Sequence, residues 1–333
     1  MASSPPAMMK VIEMSAPGGP EVLRSAERPV PKPQAGEVLV RVAASGVNGP
    51  DLMQRKGLYP PPAGATDLLG LEIAGEIVSA GKDVQRWSAG DKVTALTNGG
   101  GYAEYCAVDA RHCLPIPKAM SLADAASLPE TFFTVWSNVF MGAGLAAGET
   151  FLVHGGAGGI GATAIQLGKA FGARVIVTDS PGERCKFCRE LGAERAIDYR
   201  QEDFVEIVRG AGGANVILDI VGGPNIERNF KAAAHDARII QLAFALGSKM
   251  EVNLMPVMLK RLTYTGSTLR TRAPAFKARI AQELEARVWP LIEAGTIKPV
   301  VHATFPLAEA GRAHALMESS QHIGKIMLLV GGA

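Results

Sequence analysis

The segment FLVHGGAGGIGATAIQLGKAFGARVIVTD limits the fold of this chain more than any other, because Gly156, Gly158 and Gly161 satisfy G-x-G-x-x-G between an apolar strand and a helix. Glycine is required there for three reasons. The backbone must turn tightly, a pyrophosphate must come close to the helix N-terminus, and helix and strand must pack closely. Gly159 and Ile160 complete the loop. The same texture continues downstream: FLVHGG, a helix through Ala173, RVIVTD, a helix through Leu191, then NVILDIVGG. Alternating strands and helices of this kind predict a doubly wound parallel sheet, and with it a dinucleotide site.

The second strand of that pattern ends at Asp179, ~20 residues past the loop, where a carboxylate holds the adenine-ribose hydroxyls of NAD and repels the extra phosphate of NADP. Five residues on, Arg184 has the reach to clamp that phosphate, with Ser180 and Tyr199 as helpers. The acid favours NADH and the arginine NADPH. Both readings stand at this level.

The first ~125 residues read differently. Val38, Val40 and Val42 alternate, and turn signals fall at Pro17 to Pro20, Pro60 to Pro62 and Gly99 to Gly101. A compact β-rich domain is expected there. The tail contains an amphipathic helix in AFKARIAQELEARVWPLIEAG, a helix around Leu307 to Met317 and an apolar strand Lys325 to Val330, assignable by pattern to either domain. With 34 Lys and Arg against 32 Asp and Glu and no run of like charge, the chain offers no footprint for nucleic acid or anionic membrane. Apolar runs such as Leu68 to Ala74 fall well short of the ~20 residues a bilayer span needs. The leader Met1 to Met8, with Ser3, Ser4, Pro5 and Pro6, reads as a frayed extension or cloning remnant. Four cysteines suit a reducing cytoplasm, and Cys185 and Cys188 read as two thiols on one helix turn.

Further motifs, ASGVNGPDLMQRKGLYPPP, LLGLEIAGEIVSAGKDVQRWSAGDKVTAL, GGYAEY, LPETFFTVW, IDYRQEDF, ILDIVGG, GSTLRTR and IGKIML, together resemble the zeta-crystallin-like quinone oxidoreductases of the medium-chain dehydrogenase/reductase superfamily. The resemblance runs from Met9 nearly to the end. It implies a GroES-like catalytic domain drawn from both chain ends, residues 1–125 and 272–333, around a Rossmann domain, residues 126–271, with the active site in the cleft. It also implies cofactor contacts at Thr131 and Thr134 near the nicotinamide, Gly158 to Gly161 at the pyrophosphate, and Arg184 and Tyr199 near the adenosine phosphate. Phe244, Ala245, Leu246, Leu269 and Arg270 would line the nicotinamide pocket. The family mostly uses NADPH and usually lacks an acid where Asp179 stands. Members commonly pair through the last Rossmann strand, here LTYTGS at Leu262 to Ser267, so a homodimer is expected.

Zinc-dependent cousins place a cysteine ligand where this chain has Asn48 and a histidine where it has Leu71. The four-cysteine lobe of a structural zinc is also absent, since Thr94 to Glu104 contains no cysteine. A metal-free hydride transfer from NAD(P)H to a quinone is therefore expected. Asn48 is read as a neutral donor to the acceptor oxygen or as a loop cap. Tyr59 is read as a proton donor, as a platform for a quinone ring, or as packing against Pro60 and Pro61. Asp51 and Arg55 are expected to hold their loop together. Competing readings are an enoyl or enone reductase, in which Tyr59 supplies the proton, and a nucleotide-binding protein without catalysis.

Overall fold

The computed structural model describes residues 5–331, so the first half of the leader lies outside the described residues; Met8 already opens a strand, Met8–Met14. The chain divides into two compact units, Met1–Phe133 with Arg270–Ala333, and Thr134–Leu269. The first boundary lies eight residues beyond the expected 125. The segment in question is tied to the first unit: Thr94 Oγ1 donates to Ala125 O at 2.8 Å and the Glu130 N–H to Glu72 Oε2 at 2.8 Å. The second lies at Arg270 because its guanidinium bonds Gln54 and Asn98.

The contiguous unit is a six-stranded, all-parallel sheet. Across it the strands run Arg195–Asp198, Arg174–Asp179, Thr150–His154, Ala214–Asp219, Ala233–Gln241 and Thr263–Gly266. Strand order therefore reverses between Thr150–His154 and Ala214–Asp219. In such sheets ligands bind at that switch point, beyond the carboxyl ends of the strands. Leu152, Ile176, Ile217 and Ile239 from four of these strands form the centre of one buried cluster with Phe204, Val208 and Phe230 from the crossover helices. Cys185 and Cys188 are free and buried in the helix Gly182–Leu191, and burial raises both thiols, Cys188 to about 12. They are inert packing groups there.

The other unit is built around the strand Glu37–Val47, which pairs antiparallel with Glu72–Ala80, Tyr105–Asp109 and the terminal strand Lys325–Leu329. The tail thus returns to the β-rich unit. Val38, Val40 and Val42 are buried in one cluster, and Leu39 between them is buried too, so this central strand is covered on both faces. Phe132 and Phe133 are core residues here, and Trp136 is one in the contiguous unit. Among the described residues no helix is long and apolar enough to cross a membrane.

Candidate functional site

In the contiguous unit the expected cofactor residues gather at the carboxyl edge of the sheet. The helix Gly159–Ala170 starts from Gly158 directly after the loop that follows Thr150–His154. Gly155 takes φ +77°, and a side chain on it would meet Ile220 Cδ1 at 2.8 Å, across the switch point. At Gly161 a Cβ would overlap Gly155 O and lie 2.6 Å from the Gly156 backbone, which fixes glycine there for close packing. At Gly156 it would meet Cys188 Sγ at 2.8 Å, so this glycine lets the loop lie on the next helix.

Asp179 bonds back to this loop. Its Oδ2 accepts from Ala157 N at 2.7 Å, and its Oδ1 from Ser180 N at 2.8 Å and Arg184 Nε at 2.6 Å. The carboxylate is therefore committed to the loop and neutralised by Arg184. Ser180 lies beside it, 8% exposed, and its hydroxyl has no hydrogen-bond partner among the described residues. A buried hydroxyl left unbonded costs about 1–3 kcal/mol, so a ligand oxygen there would be favoured. The Tyr199 N–H donates to Asp179 O at 3.3 Å while its ring is half exposed. Asp179, Ser180, Arg184 and the backbone of Tyr199 thus meet at one point beside the glycine loop.

His154 is a strand-end residue, as expected. Its Nε2 meets Asn229 Oδ1, which can only accept, at 2.7 Å, so Nε2 carries the proton and Nδ1 accepts from Thr178 Oγ1 at 2.8 Å. Asn229 donates to Asp219 Oδ2 at 2.9 Å, and Asp219 Oδ1 takes the N–H groups of Val221 and Gly222. This chain of bonds fixes the second loop at the switch point. Phe244, Ala245 and Leu246 are exposed and pack on it through Leu246 N to Val221 O at 2.8 Å, whereas Leu269 is buried. Thr134 is partly exposed, and its carbonyl accepts from Ser137 and Asn138.

In the β-rich unit, a second group of polar residues is buried around Glu72. Lys325 Nζ lies 2.6 Å from Glu72 Oε1 and also donates to Asn48 Oδ1; Asn48 Nδ2 donates to Glu72 Oε1 at 2.9 Å. The bond to Glu72 uses one hydrogen of the Asn48 amide, and the second faces Gly46 O at 3.5 Å. Asn48 is also the cap of the helix Gly49–Arg55, where Asp51 Oδ2 takes its N–H and Asp51 Oδ1 that of Gly70. Burial lifts the Asp51 carboxyl to about 7. Arg55 is fully buried and donates to Gly18 O and Glu318, with His314 Nδ1 at 3.2 Å. Both residues hold the loop, as expected.

Arg270 lies in this unit as well, unlike the other residues read as lining the nicotinamide pocket. It is 6% exposed, and Gln54 Oε1 and Asn98 O accept from it at 2.6 and 2.7 Å. Its guanidinium carbon stands 5.8 Å from the ring centre of Tyr59, a half-buried phenol whose pKa is raised by burial and by Glu130. Thr131 is buried, with its hydroxyl donating to Leu128 O at 3.4 Å. Glu130 was not singled out from the sequence, since an acid in a helical first turn is ordinary there.

The sequence matches the alcohol dehydrogenase GroES-like domain over residues 34–118 and the zinc-binding dehydrogenase family over residues 159–286. It is 31% identical to a quinone oxidoreductase of Rattus norvegicus, over 97% of this chain and 98% of that protein. The crystal structure of Escherichia coli quinone oxidoreductase complexed with NADPH superposes with a TM-score of 0.86 at 31% identity, over 96% of this chain and 99% of that one. The CurK enoyl reductase superposes equally well, TM-score 0.86, at 26% identity over 98% of this chain and 100% of that one. Likeness over the full length to enzymes of one reaction type makes the protein an oxidoreductase, and the chain belongs to the quinone oxidoreductases of the medium-chain dehydrogenase/reductase superfamily.

Proposed function

We propose that this protein passes hydride from NADPH to a quinone or a similarly activated acceptor without a metal. The observation that carries the cofactor half is the meeting of an unbonded Ser180 hydroxyl, Arg184 and Tyr199 beside a glycine loop at the switch point. An adenosine phosphate would bring oxygens to that hydroxyl and to Arg184. Asp179 does not oppose it, because its charge is already matched. NADH remains a substrate in this reading, bound through the same loop. The nicotinamide supplies the hydride; the protein aligns it and excludes water. The quinone half is supported by the relatives, including one solved with NADPH.

Donor chemistry supports metal independence. Leu71 has no ligand atom, and the Asn48 amide is held by Glu72 and Lys325. Among the described residues no three His, Cys, Asp or Glu side chains converge as a metal site would require. Four buried free thiols suit a reducing cytoplasm. The test follows nicotinamide absorbance with NADPH and with NADH, offering an ortho-quinone, a para-quinone and a 2-enoyl thioester. Quinone-dependent oxidation that survives dialysis against a chelator supports the reading; silence with both quinones overturns it.

The likeness to CurK enoyl reductase and the half-exposed phenol of Tyr59 favour one other reading, reduction of a 2-enoyl thioester. Oxidation with the thioester alone, much reduced in Tyr59→Phe, would select it.

A further inference from the structure

The amino edge of the parallel sheet, at the other end of the strands from the glycine loop, carries a cleft that the cofactor reading does not use. Three helix-to-strand connections come together there. The helix Phe204–Gly210 leads through Gly212 and Gly213 into the strand Ala214–Asp219, the helix Asn225–Ala232 runs straight into Ala233–Gln241, and the helix Met255–Leu259 leads through Lys260 to Thr263–Gly266. Gly213, at φ +85°, lets two of them touch, since a Cβ on it would lie 2.9 Å from Ala234 N and Cα. The cleft has a volume of about 400 Å³, within the range of small-molecule sites.

Each connection contributes one cation, Arg209, Lys231 and Lys260, with His235 beside them, and no carboxylate lines the cleft. A basic residue at the end of a helix commonly serves only to match the carbonyl dipole. Lys260 does this. Its partly buried ammonium donates to Phe230 O, Lys231 O and Ala233 O at 3.1, 2.9 and 2.7 Å, so its charge meets three neutral oxygens. Arg209 has no such task. The last carbonyls of its own helix, Ile207 O, Val208 O and Arg209 O, already accept from Ala211 N, Gly213 N and Gly212 N. Among the described residues its exposed guanidinium has no hydrogen bond or ion pair. Lys231 pairs with Glu227 at 2.8 Å, an exposed contact that water screens. Burial and then the Arg209 guanidinium hold the Lys260 ammonium below its ordinary range, as two like charges on one cleft require. A bound anion relieves that repulsion.

We propose that this cleft binds a small organic phosphate, its dianion against Arg209 and Lys231 with Lys260 behind them, and its apolar body against Ala234 and Pro256. A guanidinium free of partners is suited to bidentate bonding of phosphate oxygens. The volume is larger than a bare phosphate needs, and Ala234 and Pro256 offer an organic group contact without polar demands. Ser180 and Arg184 follow the carboxyl end of their strand, so a dinucleotide and this ligand would occupy separate places.

The test titrates phenyl phosphate, inorganic phosphate and phenol into wild type, Arg209→Glu and Arg184→Ala, by calorimetry and by the rise in unfolding temperature, with and without saturating NADPH. Phenyl phosphate should bind wild type equally well in both conditions and raise the unfolding temperature. Inorganic phosphate should bind more weakly, and phenol should not bind. Arg209→Glu should weaken phenyl phosphate at least about tenfold, the lower end of what the loss of a charge-assisted bond removes. Its unfolding temperature without ligand should match wild type, because the guanidinium holds nothing in the fold. Arg184→Ala should bind phenyl phosphate as wild type does. No binding to wild type at about 10 mM overturns the proposal, and so does wild-type affinity in Arg209→Glu. Loss of binding in Arg184→Ala or with NADPH present overturns it too, since the phosphate then sits in the cofactor site. Inorganic phosphate that binds as tightly as phenyl phosphate overturns an organic phosphate as the occupant.

Discussion

Asp179 and Arg184 are opposing signals for the proposed cofactor, and in the structure the two are paired at 2.6 Å. From the sequence the acid argued for NADH and the arginine for NADPH, because spacing alone does not reveal that two side chains five residues apart have paired. With the pair formed and Ser180 unbonded, the arginine argument is the stronger. Arg184→Ala should therefore raise KM for NADPH about tenfold, or about 1.4 kcal/mol, within the range of a charge-assisted bond. KM for NADH should change by less than about threefold, since NADH has no phosphate at that ribose. Steady-state kinetics with both cofactors checks this; an equal loss would mean that Arg184 serves only to hold Asp179 against the loop. The same scale shows what stayed hidden. Glu130 and Lys277 look like ordinary helix charges in LPETFF and AFKARI, and only the fold buries them.

Elements that carry their own local code were read correctly. The glycine loop, the strand Arg174–Asp179 and the helix Gly182–Leu191 lie where the pattern put them, because turn chemistry and apolar periodicity act over a few residues. Gly161→Ala tests the loop. Alanine is better than glycine inside a helix by about 0.5–1 kcal/mol, but here its methyl would overlap Gly155 O, and overpacking costs about 1–3 kcal/mol. The clash wins, so the variant should melt earlier and bind cofactor weakly. Gly210→Ala, with nothing within 4 Å of the added methyl, should melt no earlier than wild type. The strand Thr263–Gly266 is the exposed edge of its sheet, with exposed Met255, Met258 and Leu259 just before it in the chain. Bare edges of this kind recruit partners, and a second copy of the chain is the proposed one. A proline in this strand, as in Thr265→Pro, hinders addition of a further strand and should convert a dimer into a monomer by light scattering; an unchanged mass in a variant that still melts cooperatively would place any interface elsewhere.

At the scale of the whole chain the two units were encoded differently. Thr134–Leu269 is contiguous and repeats one motif, so its architecture could be read from left to right. The β-rich unit depends on residues far apart: Lys325 reaches Asn48 across 277 positions, and no local pattern in IGKIML shows that its lysine is buried beside Glu72. That separation explains why the partners of Asn48 could not be read from the sequence and why the tail could be assigned to either unit. It also makes Lys325 a test of how the chain ends hold this unit. Glu72 is 0% exposed, and removing its cation leaves a buried charge without its partner, a loss of about 3–5 kcal/mol. Lys325→Met should therefore lower the unfolding temperature sharply. Adding Glu72→Gln should recover much of the loss, because the unpaired charge goes with it, although the backbone N–H of Glu130 then bonds a neutral oxygen. Thermal unfolding of the two single variants and the double variant closes the cycle. If the double variant is as unstable as Lys325→Met, the lysine acts through the bonds its ammonium donates to Val47 O and Asn48 Oδ1, and the ion pair is not what joins the two ends of the chain.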